Sequence, residues 1–382
     1  MASHFRLTFR DLPSLTLPDD DFFRAPYPAT TSEYLAFCDG LKQHASAWHP
    51  SDAPWTVDIV QRWRSLDLPC LRTNLLPPEY RPVPEVVRHA SFTQQDQEVI
   101  LAMYIPLQTG PQKWGQVWHG TMNVRSLIRT ESRQGLAPAP VVVKIFQESL
   151  FEDPSLFEPE MGIAQGGWLT GAQQARREAW AYSSTRSLQG REVPWSYGMF
   201  KFRLSHGELA FAHVMECVEG QLGKNVSLRD SSEAQLWLLA DAISSGFYKM
   251  IECGILHFDL SLRNIIIRLG SSYPVVFLDL TFAFEYTESM IDDGVISLMI
   301  ALRDMGADMY VIKAWLDDRV HSGLPWSRMF VRGFELRPHW FDHVSDIMTP
   351  QHRRELFEGP RLKLPSSILR LLGAHQIDAS SC

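Results

Sequence analysis

From about residue 97 the chain reads as short β-rich runs: Glu98–Pro106, Gly115–Gly120, Val141–Phe146, Met199–Leu204 and Leu209–Glu216, the last two joined by a His206-Gly207 turn. Runs of this length predict an antiparallel sheet of about five strands. One helix interrupts them, roughly Ala172–Leu188, where Ala175, Ala179 and Tyr182 recur at i, i+4 and i+7. Glu178 falls inside that apolar stripe rather than opposite it, and an inward carboxylate needs a partner. After residue 230 the periodicity turns helical. A capping-box pattern, Ser232-x-x-Gln235, opens a helix carried by Leu236, Leu239, Ile243, Phe247 and Met250, with Gly254 as its stop. Two short apolar strands follow, Ile265–Arg268 and Val275–Leu278, joined by a turn through Gly270 and Pro274. Beyond them Ile291, Val295, Leu298 and Leu302 keep helical spacing. The order, a β-rich part, a small hairpin and a helical part, predicts an α+β fold.

The first ~90 residues differ. Eleven of the 24 prolines fall in residues 1–84, where missing donors and fixed φ work against long regular elements. We expect an irregular extension docked on the domain that follows, because Tyr34, Phe37, Trp48, Trp55 and Trp63 give it large apolar groups to bury. A separate small module is the rival. The stretches Met122–Pro140 and Gln147–Gly171 read as insertions.

Composition narrows the function. With 45% hydrophobic and 21% charged residues the chain has the make-up of a globular protein. A net charge of −8 gives no basic field for nucleic acid or for an acidic membrane surface, so neither is expected as a partner. The five cysteines, Cys38, Cys70, Cys217, Cys253 and Cys382, form no zinc-type cluster, which fits a reducing compartment. No signal-type h-region opens the chain and no run reaches the ~20 apolar residues of a membrane span. The expected location is the cytoplasm or nucleus.

The strongest chemical signal is Gly254-Ile255-Leu256-His257-Phe258-Asp259-Leu260-Ser261-Leu262-Arg263-Asn264, followed by Val275-Val276-Phe277-Leu278-Asp279. An aspartate on a loop after a buried helix can orient or deprotonate an attacking hydroxyl, while Asn264 and Asp279 are hard oxygen donors suited to Mg2+. The alternative makes Asp259 and Asn264 turn residues and His257 a core histidine. Upstream, Lys144 sits among aliphatics in Val141-Val142-Val143-Lys144-Ile145. Taken by itself it is as well read as a solvent-facing edge lysine. Glu178 shifts the reading, since an inward carboxylate and an inward lysine account for each other.

These motifs resemble those of the protein-kinase-like superfamily, in a divergent, fungal-type form, over residues 97 to 305. The resemblance is to the catalytic loop, the metal-binding aspartate and the V-A-I-K strand. It implies a two-lobed kinase fold with a shortened helical lobe. Residues 1–95 would be the extension, 96–220 the β-rich lobe ending in the hinge, and 221–382 the helical lobe. It implies ATP and Mg2+ as cofactors, Asp259 as catalytic base, Lys144 on the phosphates paired with Glu178, and Asn264 and Asp279 as metal ligands. Gly110, Gly115 and Val117 match the phosphate-covering loop, although Gln112 replaces its middle glycine; an ordinary hairpin turn describes that stretch equally. Glu216 and Val218 match the adenine-binding hinge, or a plain strand-to-helix connector.

Several positions depart from the family pattern. Phe258 stands in place of an arginine, Ser261 in place of a lysine, and Asp279-Leu280-Thr281 in place of D-F-G; no A-P-E follows. The resemblance as a whole implies a phosphotransferase of protein (Ser/Thr) kinase type with an unidentified acceptor, and these departures speak for other readings. A small-molecule kinase of the choline or aminoglycoside type, or a pseudokinase serving as a nucleotide-binding interaction module, are the alternatives.

Overall fold

The computed structural model describes residues 5–9, 30–47, 60–62, 80–89, 97–126, 136–156, 168–204, 206–227, 231–268 and 274–287, with short pieces between 298 and 327. In chain order they form β1 (Phe5–Phe9), α1 (Thr31–Ala47), β2 (Val60–Arg62), α2 (Glu85–His89), β3 (Gln97–Gln108), β4 (Gln116–Ser126), β5 (Ala139–Phe146), α3 (Gly171–Ser184), β6 (Ser196–Arg203), β7 (Leu209–Glu216), β8 (Gln221–Leu222), α4 (Glu233–Glu252), β9 (Ile255–His257), β10 (Ile265–Ile267), β11 (Val275–Phe277) and β12 (Ala283–Glu285). The class is mixed α and β with an antiparallel sheet, as expected. The chain divides into two compact units: Met1–Gly220 with Arg268–Phe284, and Gln221–Ile267 with Glu285–Cys382. Residues Arg268–Phe284, grouped by the sequence reading with the helical part, thus belong with the first unit. Among the described residues no helix is long and apolar enough to cross a membrane.

The first unit is built on one sheet of order β1-β3-β4-β5-β7-β6-β2. The five strands read from the sequence are its centre. The extension adds the other two: β1 pairs with β3 (Leu7↔Leu101) and β2 with β6 (Gln61↔Lys201), so it is less irregular than its prolines suggest. Helix α1 departs from that expectation too. Tyr34, Cys38 and Leu41 are buried at i, i+4 and i+7, and the Tyr34 hydroxyl donates to the Pro154 carbonyl. Strand β4 runs on to Ser126 and β5 begins at Ala139, so residues 122–126 and 139–140 are sheet and not insertion.

Alternation along β5 sends Val141, Val143 and Ile145 into the main core with Leu101, Trp118, Phe200, Ala212 and Val214. Val83, Val86 and Val87 of the extension cover the same face. The opposite face of β5 carries Lys144, and α3 packs there. That helix starts at a full capping box, Thr170 with Gln173, and ends at Ser184, short of the expected Leu188, because Thr185 leaves helical geometry and a 3-10 turn takes over.

In the second unit α4 follows the pattern read from the sequence. Ser232 and Gln235 cap it reciprocally, Leu236, Leu239, Ile243, Phe247 and Met250 are buried, and Gly254 at φ 77 follows its last turn. On the same helix Asp241 accepts from Trp315 Nε1 and from Arg319 Nε and Nη2, each at 2.8 Å. Leu298 and Leu302 are buried helical residues; Ile291 and Val295 lie outside the described residues, as does the turn at Gly270. Arg268 N donates to Pro274 O across that turn at 2.8 Å.

Candidate active site

Register places the central lysine. Lys144 lies opposite Val117 of β4 and opposite His213 of β7, so all three side chains share the face on which α3 packs. Glu178 projects from α3 into that layer and is fully buried. Its Oε2 accepts from Lys144 Nζ at 2.7 Å, and its Oε1 lies 2.7 Å from His213 Nδ1. The other ring nitrogen of His213 lies 2.8 Å from Ser196 Oγ. Lys144 Nζ also reaches Asp279 Oδ1 at 2.5 Å and the Thr281 hydroxyl, which itself donates to Glu178 Oε2 at 2.5 Å. The solvent-facing alternative for Lys144 is thereby excluded: its side chain is 6% exposed.

The electrostatics follow from that packing. Burial pushes the Glu178 carboxyl up, but the Lys144 charge and the His213 bond outweigh it and hold the group at about 2. Burial likewise works against charge on Lys144, and the facing carboxylates of Asp279 and Glu178 raise its pKa above the ordinary lysine value all the same. The Lys144 cation and the Glu178 carboxylate stay charged at neutral pH. Asp279 takes a left-handed backbone (φ 56), uncommon for a residue with a Cβ, and this aims its carboxylate at both Lys144 Nζ and Thr281 N.

The stretch Gly110–Gly115 forms the loop that leads into β4, which Gln116 and Val117 open. Gly110 N donates to Gln116 Oε1 at 2.6 Å and Gln116 Nε2 donates back to Gly110 O at 3.0 Å. Gln112, in place of the family's middle glycine, takes φ 61 itself. Gly115 has a separate reason to lack a side chain: a Cβ there would lie 3.0 Å from Lys144 Cε. Trp114 anchors the loop, its ring against Phe151 (5.3 Å), Trp168 (5.9 Å) and Phe282 (6.5 Å). Val117 is half-buried opposite Lys144.

Glu216 and Val218 close the first unit. The Glu216 carboxylate serves structure: it accepts from Arg81 Nε at 2.6 Å, Arg81 Nη2 at 3.0 Å and Trp195 N at 2.9 Å. Arg81 further donates to the carbonyls of Val193 (2.8 Å) and Arg191, tying the extension to the end of β7. Val218 is buried.

In the second unit the loop after β9 holds Asp259 and Asn264 together. Asn264 Nδ2 donates to both the backbone carbonyl and Oδ2 of Asp259, each at 3.0 Å, and Arg263 Nη2 approaches the same Oδ2 at 3.2 Å. Asp259 remains partly open, at 27% side-chain exposure, whereas Asn264 is buried. His257 is fully buried. Thus Lys144, Glu178 and Asp279 are brought together in one unit, and Asp259 and Asn264 in the other.

Three contributors escaped the sequence reading. Thr281 was seen only as the loss of a glycine, yet its hydroxyl sits between Lys144 and Glu178. His213 alternates with aliphatics on β7, and its register opposite Lys144 was the available signal. Arg81 gave none, lying in a proline-rich run.

No family model and no curated protein matches the chain, so neither bears on the fungal-type form. Among solved structures the chain is similar to one reported as "A divergent kinase lacking the glycine-rich loop regulates membrane ultrastructure of the Toxoplasma parasitophorous vacuole", at 13% identity and a TM-score of 0.31. The match covers 54% of this chain and 66% of that one, so the chain spans slightly under two thirds of that structure's length.

Proposed function

We propose that the chain is an ATP- and Mg2+-dependent phosphotransferase of the protein-kinase-like group, acting in the cytoplasm or nucleus on a hydroxyl of a protein acceptor. The observation that carries this is the buried Lys144–Glu178 pair with Asp279 on the same ammonium group. A buried cation with two carboxylates is costly to assemble and gives no net stability over an apolar core. Its retention fits a cation kept for a ligand.

In this reading Lys144, fixed by Glu178, contacts the ATP phosphates, with Gly115 leaving room beside its stem. Asp259 receives the proton of the acceptor hydroxyl or orients it. Asn264 and Asp279 each offer an oxygen donor suited to Mg2+: Asn264 spends its amide N–H on Asp259, which leaves its carbonyl oxygen, and the Asp279 carboxylate is 30% exposed. Mg2+ on such donors neutralises phosphate charge.

A second reading, a nucleotide-binding interaction module, draws on the loop at 110–115, where Gln112 replaces a glycine and Trp114 is held by an aromatic cluster. The two separate in one experiment. Mg·ATP is expected to raise the melting temperature of the wild type but not of Asp279→Asn, and γ-phosphate transfer to a generic protein acceptor is expected from the wild type and not from Asp259→Ala. Binding without turnover in the wild type would favour the module. Transfer to a small cationic alcohol instead of protein would move the acceptor class, and no nucleotide effect at all would sink both readings.

A further inference from the structure

We propose that His44, His206 and Glu208 form a zinc site that pins helix α1 to the β6–β7 turn. This site is independent of the phosphotransferase reading. One ligand atom from each of the three residues lies within 4.8 Å of the others. They come from distant parts of the sequence. His44 is in the last turn of α1, whereas His206 and Glu208 flank Gly207 in a turn closed by bonds between Leu204 and Glu208 and from Gly207 N to Leu204 O, both 2.8 Å.

Several features fit a metal better than a chance cluster. The imidazoles of His44 and His206 approach to 5.3 Å between centroids. His44 Nδ1 is buried with no hydrogen-bond partner, and an orphaned ring nitrogen has a lone pair to offer. Glu208 is 5% exposed and already oriented: Ser149 N donates to its Oε1 at 2.8 Å, and Ser149 Oγ and Gln147 Nε2 to its Oε2 at 2.7 and 3.1 Å. Such outer bonds on a carboxylate are what a metal ligand needs to stay in place. His206 Nε2 lies 2.9 Å from the same Oε2.

Two imidazoles and a carboxylate are a donor set for Zn2+, with water as fourth ligand, and not for Mg2+ or Ca2+, which prefer oxygen. Binding takes the Nε2 lone pair of His206, so any proton shared there with Glu208 moves to Nδ1 or is released.

The test uses the full chain, stripped with a chelator and titrated with Zn2+ against a chromophoric competitor, beside His44→Asn and His206→Asn. Both replaced side chains are half-buried, so folding of the variants is checked by melting without metal. The wild type is expected to take one Zn2+ per chain. Loss of a neighbouring outer bond alone weakens metal sites ~10–100-fold, so each variant is expected to bind at least about tenfold more weakly. Zn2+ should slow amide exchange over residues 31–47 in the wild type and leave it unchanged in His44→Asn. Substoichiometric uptake, or wild-type affinity in either variant, would overturn the site and leave an ordinary His206–Glu208 hydrogen bond.

Discussion

Replacing Lys144 by methionine keeps most of the side-chain length and removes the charge. Glu178, fully buried, is then left with His213 and the Thr281 hydroxyl as its partners, and Asp279 loses its ion pair. Breaking a buried pair by deleting one partner costs about 3–5 kcal/mol. The depressed pKa of Glu178 expresses the same contacts: a carboxyl held at about 2 in place of 4.5 contributes on the order of 3 kcal/mol at neutral pH. Glu178→Gln should cost less, about 1–3 kcal/mol, because Lys144 keeps Asp279 at 2.5 Å and an amide oxygen can still accept from Lys144 and Thr281, though without the charge. The double variant should cost less than the two singles summed, since the groups act on each other.

Urea unfolding at neutral pH, followed by tryptophan emission, measures all three. The folded-state pKa of Glu178 is depressed, so its contribution is present above about 4.5 and is lost as pH falls through about 2. Acid sensitivity across that window should therefore flatten in Glu178→Gln. A Lys144→Met cost below ~1 kcal/mol, the value of an exposed pair, or a Glu178→Gln cost above that of Lys144→Met, would refute the reasoning that removing one partner strands a buried charge.

Arg81→Met would strand the Glu216 carboxylate and should cost about 3 kcal/mol in urea unfolding; Arg81→Lys should recover only part, because one ammonium cannot reproduce the forked contacts to Glu216, Val193 and Arg191. Thr281→Val keeps the shape and removes a hydroxyl bonded to two charged groups, an expected loss of about 1–3 kcal/mol by the same assay. Burial raises the Glu148 carboxyl to about 7 against the opposing pull of its bond to Gly171 N. The folded protein thus binds more protons than the unfolded chain between about 4.5 and 7, so stability falls as pH rises through that window; melting curves should show this slope reduced in Glu148→Gln.

How much was legible varied with the range of the cause. Strands β3 to β7 and helix α4 were readable because period-2 and period-3.6 burial is written in neighbouring residues, as in Val141, Val143 and Ile145 or in Leu236, Leu239 and Ile243. Lys144 with Glu178 was readable because two inward charges demand one another. Thr281 was not, since its role arises from closeness to residues over a hundred positions away. The same holds for Arg81 and Glu216, and no local pattern encodes such a pairing. Helix α1 carried a correct stripe of Tyr34, Cys38 and Leu41, but the surrounding prolines dominated the reading. At Gln112 the glycine rule failed because a residue with a Cβ took the left-handed conformation itself.

The two strands contributed by the extension have a consequence for solubility. Strand β1 covers the free edge of β3 and β2 covers that of β6, at opposite ends of the sheet order. An uncovered edge is a row of unpaired amides and carbonyls that recruits strands from other molecules. The proline-rich extension therefore works as a pair of edge guards. A shortened chain beginning at residue 97 would keep Lys144, Glu178, Asp259, Asn264 and Asp279, and would expose both β3 and β6 to intermolecular strand pairing.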